Sequence, residues 1–211
     1  MYMNRIGNQI KVKVMVTGVL LFHLFTFSPL QAQTAKSVLD KAAANITVKT
    51  GVQANFTMTG KMGNTSGTIA IKGRKFHAST PQAIVWFDGK TQWTYMKNND
   101  EVNVTTPTEA QLQTINPYSF INLYKNGYDY TLNKSGKDYV VHLTATSKDK
   151  KIRELFITIN KTSYNPMQVK LLQGTKWTIF DITDLKKQNL PDSEFQFHAK
   201  DFPHAEVIDL R

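Results

Sequence analysis

The chain has 211 residues, with 26 Lys and Arg against 16 Asp and Glu and a formal net charge of +10. That length suits one β-rich domain with an ample core. The absence of cysteine excludes disulfide stapling, thiol catalysis, thiolate metal sites and an anchor lipid carried on cysteine. A basic surplus favours acidic partners, but the lysines fall in scattered turns, as at Lys134, Lys137, Lys148, Lys150, Lys151, Lys186 and Lys187, which reads as solvated loop charge.

The first segment is a targeting signal rather than part of the fold. Arg5, Lys11 and Lys13 precede an apolar run of 14 residues, Val14 to Phe27, and Ser28-Pro29-Leu30-Gln31-Ala32 ends it with a break and a small residue. The run is shorter than the ~20 residues a membrane-spanning helix needs. This order predicts a secretory signal peptide over 1–32, cleaved near Ala32, with an uncleaved anchor as the alternative. The expected mature chain is then a single exported domain over 33–211. Setting aside the three basic residues of the signal leaves it a net charge of +7.

Thr34 to Thr50 has helical spacing, with Ala35, Val38, Leu39, Ala42 and Ile46 on one face and Gly51 where a C-terminal cap would stand. The period then changes to two. Val52, Ala54, Phe56 and Met58 alternate with polar residues, and Thr68 to Lys72 repeats the pattern with Ile69 and Ile71 before Gly73 and Phe76.

Ala83 to Phe87 is an apolar run, followed by Asp88-Gly89 and a return through Thr91, Trp93 and Tyr95. Asp-Gly between two such runs predicts a hairpin with a two-residue type I′ turn. Glu101 to Thr105 adds a third strand. The alternation places Trp93 and Tyr95 on one face, expected to be the face that the helices cover.

Thr106 to Asn126 interrupts the β pattern. Pro107 suits a first helical turn, Leu112 and Ile115 share a face, and Ser119 to Tyr124 is apolar nearly all round. One or two short helices laid into the concave side of a sheet would bury it.

Strands resume at Tyr128–Leu132, Asp138–Ala145, Ile152–Ile159, Val169–Leu172 and Trp177–Ile182, at hairpin spacing. A short strand is expected around Phe195 and Phe197. The order of helix, strands, helical insert and strands excludes a parallel βαβ protein. It predicts a mainly β (α+β) fold: a strongly curved antiparallel sheet, an incomplete barrel, with an N-terminal helix and a short helical lid on its concave face.

The sequence holds no phosphate-binding glycine loop, no His-Glu-x-x-His and no Gly-x-Ser-x-Gly. His198, Asp201 and His204 cluster in sequence, but that spacing fixes no ligand geometry, so no metal, cofactor or catalytic residue is assigned. Trp93, Tyr95, Lys90 and Lys97 could stack and clamp single-stranded nucleic acid, a reading set aside for an exported chain. What remains is a surplus of large, soft apolar side chains. Phe56, Met58, Ile69, Ile71, Phe76, Trp86, Trp93, Tyr95, Leu112, Ile115, Phe120, Ile121 and Tyr124 are expected to converge on the concave surface, where Met and aromatic groups repack readily around flexible chains.

Several stretches resemble the LolA-type periplasmic carriers of outer-membrane lipoproteins. They are Phe87-Asp88-Gly89-Lys90-Thr91-Gln92-Trp93-Thr94-Tyr95, Gly67-Thr68-Ile69-Ala70-Ile71-Lys72-Gly73, Asn116-Pro117-Tyr118-Ser119-Phe120-Ile121, and the closing Phe195-x-Phe197, Phe202-Pro203 and Val207-Ile208-Asp209. The resemblance implies an incomplete β-barrel lidded by helices. It implies a non-enzymatic, monomeric carrier in the periplasm that shields lipoprotein acyl chains between an inner-membrane ABC transporter and an outer-membrane receptor.

A lipoprotein-sensing envelope domain of the same fold is the alternative. In the family an Arg-Pro pair follows the second strand, and its arginine latches the lid. Here Lys72 and Gly73 stand at those positions, so the latch is expected at Lys72 or at Arg74.

Overall fold

The computed structural model describes residues 34–60, 63–109, 111–112, 120, 122–134 and 136–211. Helix α1 spans Ala35–Ile46. The strands are β1 (Val52–Gly60), β2 (Gly63–Lys72), β3 (Lys75–Ser79), β4 (Ala83–Phe87), β5 (Gln92–Met96), β6 (Glu101–Thr105), β7 (Tyr128–Asn133), β8 (Asp138–Ala145), β9 (Ile152–Asn160), β10 (Pro166–Gln173), β11 (Lys176–Lys187) and β12 (Glu206–Asp209).

They form one 12-stranded sheet in the order β12-β6-β5-β4-β3-β2-β1-β11-β10-β9-β8-β7. Two meanders, β1 to β6 and β7 to β11, are joined where β1 pairs with β11. Every pairing is antiparallel except that of β12 with β6. The sheet does not close on itself, so the curved half-barrel expected from the sequence is the observed architecture.

Thr34 caps α1, its Oγ1 accepting the Ser37 N–H at 3.1 Å. The helix buries Val38, Leu39, Ala42, Ala43 and Ile46 in the core that it shares with the sheet. It ends four residues before Thr50, where the helical spacing predicted. Gly51 is therefore no helix cap but the turn into β1, with φ of 103°. A β-carbon there would lie 2.7 Å from Leu190 Cδ1.

The hairpin between β4 and β5 also differs from expectation. Asp88 does not adopt positive φ; instead its carboxylate accepts the N–H groups of Lys90 at 2.9 Å and Thr91 at 2.8 Å. Gly89 alone takes the left-handed region, at 104°. Side-chain capping by Asp thus replaces the two-residue type I′ turn.

The strand expected at Phe195 and Phe197 is instead a 3-10 turn, Asp192–Phe195, with a second at Ala199–Asp201. This C-terminal stretch lies along the outside of the sheet. Leu190 and Phe195 bury against Ala70 there, and the chain then adds β12 to the β6 edge.

The insert between β6 and β7 joins strands that stand near opposite ends of the sheet. Its described apolar residues, Leu112, Phe120, Leu123 and Tyr124, belong to the same core cluster as α1 and the concave side chains. Ile115 and Ile121, and residues 1–32, lie outside the described residues. Among the described residues, no helix is long and apolar enough to cross a membrane.

Candidate functional site

Cross-strand register sets which side chains face inward, because directly paired residues share a face. One level runs from Val52 through Ile71, Phe76 and Phe87 to Gln92. The next runs from Ala54 through Ile69, Ala78 and Val85 to Thr94.

These two levels, apart from Phe87, line a cavity of about 410 Å³ with Phe56 and Met58 of β1, Val169 of β10 and Phe180, Ile182 and Leu185 of β11. All but four lining residues are apolar; the exceptions are Thr65, Thr80, Gln92 and Thr94. Phe76 stacks on Phe87 with ring centroids 5.5 Å apart. Phe120 of the insert packs on Phe180 at 5.9 Å, so a ring of the lid meets the wall directly.

Gly67 stands opposite Phe56 in the β1–β2 ladder. A β-carbon there would approach the Ser79 carbonyl oxygen to 2.1 Å and Phe56 Cζ to 3.1 Å. Only glycine lets β3 and the Phe56 ring both come this close.

Of the residues expected at the concave surface, Phe56, Met58, Ile69, Ile71, Phe76 and Phe120 line the cavity. Leu112 and Tyr124 are buried in the adjoining core without lining it. Trp86, Trp93 and Tyr95 belong to the opposite face.

The aromatic side of the meander turns outward, where Trp86 meets Phe197 at 5.6 Å and Phe202 at 5.5 Å, and Tyr95 meets Phe202 at 4.7 Å. His77 stacks on Trp86 at 5.5 Å and bonds Glu194 at 2.8 Å. The physical reason is that this sheet is covered on both faces, by α1 and the insert's described apolar side chains inside and by the C-terminal stretch outside. Alternation marks two faces but does not say which one is concave.

The wall residues that sequence reasoning missed include Val169, Phe180, Ile182 and Leu185 of the second meander. In β11 both Ile179 and Phe180 are apolar, which hides the face. A register shift between Gln53 and Asn55, opposite Thr183 to Lys186, then brings Ile182 and Leu185 to the same side although three positions separate them. A bulge of this kind breaks the period-2 pattern on which the reading relied.

The two latch candidates separate cleanly. Lys72 lies on the outer face, since Ile71 points inward; its Nζ donates to the Leu190 carbonyl at 2.8 Å and to Asp192 at 3.0 Å. Lys75 reaches the same carboxylate at 2.8 Å. Hydrogen bonds from Lys75 and Lys72 hold the Asp192 carboxyl below its ordinary value. Lys72 therefore straps the C-terminal stretch to the barrel's outside, and alternation keeps it from the lid.

Arg74 sits in the β2–β3 turn, and its Nη2 meets Glu109 Oε1 at 2.5 Å, at the start of the helical insert. A further tie joins the insert to α1. The Tyr124 hydroxyl donates to Asp40 at 2.5 Å, and Lys36 bonds the same carboxylate at 2.7 Å. The Lys36 and Tyr124 hydrogen bonds hold the Asp40 carboxyl below its ordinary value.

His198 Nε2 lies 3.1 Å from the Ser193 carbonyl. Among the described residues, no group of three His, Cys, Asp or Glu is placed to hold a metal ion. The chemistry this arrangement offers is burial of apolar surface in a cavity with a narrow polar margin.

The sequence profile described as outer membrane lipoprotein carrier protein LolA matches residues 24–175. A comparison with curated proteins gives no match. Among solved structures, an uncharacterized conserved protein from Thermus thermophilus superposes with a TM-score of 0.57 at 14% identity, covering 84% of this chain and 99% of that one. A LolA superfamily protein from Nitrosomonas europaea is 16% identical, with a TM-score of 0.44 over 79% of this chain and 99% of that one. The lipoprotein LppX of Mycobacterium tuberculosis is 11% identical, with a TM-score of 0.42 over 74% and 96%.

Proposed function

The chain belongs to the family of the outer membrane lipoprotein carrier protein LolA, and on that premise we propose that it carries lipoproteins across the periplasm with their acyl chains in the concave cavity. Residues 1–32 act as its export signal and 33–211 as the carrier domain. It receives cargo from an inner-membrane ABC transporter and delivers it to an outer-membrane receptor. No bond is made or broken.

The observation that supports this reading best is the cavity itself: about 410 Å³, walled by apolar side chains from both meanders and from the insert. That volume lies within the ~300–1,000 Å³ typical of ligand pockets. Each acyl CH₂ left in water costs about 0.8 kcal/mol, so the chains of one lipoprotein total tens of kcal/mol and cannot cross an aqueous space uncovered. The sheet supplies the cover. Release is eased because free energy spent in displacing Phe120 and its neighbours is subtracted from the affinity.

Uptake of 1-N-phenylnaphthylamine by the purified protein, and its displacement by a tripalmitoylated lipopeptide, tests the reading. Saturable uptake reversed by the lipopeptide is expected. No uptake, or uptake that the lipopeptide leaves untouched, would overturn it.

A further inference from the structure

Turns that are scattered in sequence meet at one corner of the sheet. β9 pairs with β10 so that Ile152 stands beside Gln173, which sets the β8–β9 turn (146–151) next to the β10–β11 turn (174–175). With the strand ends, they bring six cations together: Lys148, Lys150, Lys151 and Arg153 from the first hairpin, Lys170 and Lys176 from the second.

Among the described residues none of the six is in an ion pair, although Lys36, Lys72, Arg74, Lys75 and Arg211 all are. The acids nearby do not offset them. Asp149 accepts from Ser147 Oγ at 3.1 Å, Glu154 lies 3.1 Å from His142 Nε2, and Asp129 stands on β7. Arg153 and Lys150 find only backbone carbonyls, those of Lys148 and Asn126.

The same corner carries aromatic surface. Leu155 and Leu171 belong to the core, so Phe156, Lys170 and Trp177 face the convex side. Lys170 Nζ lies 4.4 Å from the Trp177 ring centroid and 6.0 Å from that of Phe156, and the two rings are 5.8 Å apart. Both rings are only half-buried. On the first meander, by contrast, Trp86 is buried under Phe197 and Phe202.

We infer that this corner docks on a membrane surface rich in anionic phospholipid. The unpaired Lys and Arg side chains reach headgroup phosphates, and Trp177 enters the interfacial layer that amphipathic rings favour. Cations alone would suit an acidic protein face equally; a half-exposed indole flanked by Lys170 and Lys176 favours the lipid. The inference goes beyond the carrier reading and does not depend on it. Phe180, three residues along β11 from Trp177, lines the cavity, so a bilayer touching this corner lies about 10 Å from the cavity wall.

Residues 33–211 form a compact unit by themselves, so the test uses that piece, free of the apolar run Val14 to Phe27, which would partition into lipid on its own. Its sedimentation is measured with phosphatidylcholine vesicles, with and without an equal part of phosphatidylglycerol. Binding is expected only with phosphatidylglycerol at about 0.1 M salt, and about 1 M salt should abolish it. Each cation near an anionic surface contributes about five-fold, so Lys148→Gln with Lys151→Gln and Lys176→Gln should weaken binding at least about 10-fold. Lys134→Gln with Lys137→Gln and Lys187→Gln removes the same charge from the opposite end of the strands and should weaken it less than about three-fold. Tryptophan emission should shift to the blue on binding, and Trp177→Phe should lose the shift although Trp86 and Trp93 remain.

No preference for anionic vesicles overturns the inference and leaves an acidic protein face as the occupant of this corner. Equal losses in the two triple variants overturn it as well, and so does a blue shift that survives in Trp177→Phe. Uptake of 1-N-phenylnaphthylamine by the same preparation reads the carrier function separately, whichever way the vesicles decide.

Discussion

The assignment of faces in the β3–β4–β5 meander makes opposite demands on two neighbouring aromatic residues. Phe76 and Trp86 are both buried, with 2% and 6% of their surfaces exposed. Phe76 points into the cavity and packs on Phe87; Trp86 points outward beneath Phe197 and Phe202. Truncation to alanine removes a comparable apolar contact in each case and costs about 3–5 kcal/mol. For a domain of this size each kcal/mol lowers Tm by about 2–4 °C, so both variants should melt roughly 6–20 °C lower.

Their binding behaviour should diverge. Phe76→Ala adds volume to the cavity, and a long-chain fluorescent fatty acid fills it, so saturating ligand should raise the Tm of that variant more than that of the unaltered protein. Trp86→Ala should melt low and yet bind the probe as before. Thermal unfolding by circular dichroism, with and without ligand, reads both quantities in one experiment. A change of probe affinity in Trp86→Ala larger than that in Phe76→Ala would refute the assignment of faces and the position of the site with it.

Three further outcomes are expected. Arg74 and Glu109 are 61% and 75% exposed, so their pair contributes only about 0–1 kcal/mol; Arg74→Ala should raise probe affinity by no more than about five-fold, an effect that 1 M salt abolishes, and an unchanged affinity at low salt would mean that this pair does not restrain the lid. The bonds of Lys75 and Lys72 to Asp192 lower that carboxyl's folded-state value below the ordinary 3.8, so their stabilisation is present above that value and lost as pH falls through the folded one. Protection of the amides over 190–196, taken relative to their intrinsic exchange rate at each pH, should therefore fall on acidification below the ordinary carboxylate range, and Lys72→Met with Lys75→Met should show low protection already at neutral pH; full protection in the double variant would remove the strap. Gly67→Val should destabilise by at least about 1–3 kcal/mol in chemical denaturation, since the new group meets the Ser79 backbone at 2.1 Å, whereas a neutral result would contradict the close approach of β2 and β3.

Much of the architecture was legible because its signals are local. Thr34 and the 3.6-residue spacing announce α1, and alternating residues or apolar runs announce the strands between Val52 and Ile182 other than β3, which was read only as a bend before Phe76. The change of period at Thr106 announces the insert.

What stayed hidden depends on long-range choices. Alternation in Gln92-Trp93-Thr94-Tyr95 marks two faces correctly, but the hydrophobic one was expected inside, and a C-terminal stretch some hundred residues away covers it outside instead. Lys72 was one of two latch positions, with Arg74, expected from the family resemblance, while its reach is set by the inward orientation of Ile71. Leu185 fell out of the wall because a bulge shifts the register of β1 against β11. Each miss is a case where a partner remote in sequence decides what a local pattern leaves open.

The lid follows from the topology rather than from an added device. The first meander ends at β6, near one end of the sheet, and the second begins at β7, at the other end, so residues 106–127 must travel the width of the molecule between them. A polar connection could make that passage over solvent. This one carries Leu112, Phe120, Leu123 and Tyr124 into the core beside α1, and Phe120 lines the cavity. Among the described residues, an exposed Arg74–Glu109 pair ties the insert to the β2–β3 turn and the Tyr124–Asp40 hydrogen bond ties it to α1. Phe120 of the insert packs on Phe180 of the wall. Apolar contact is non-directional, so under the proposed carrier function an acyl chain would take over from Phe120 against the same wall with little net change in buried area. The outer face is strapped by Lys72, Lys75 and His77, so the proposed carrier would open its inner face without loosening the outer one.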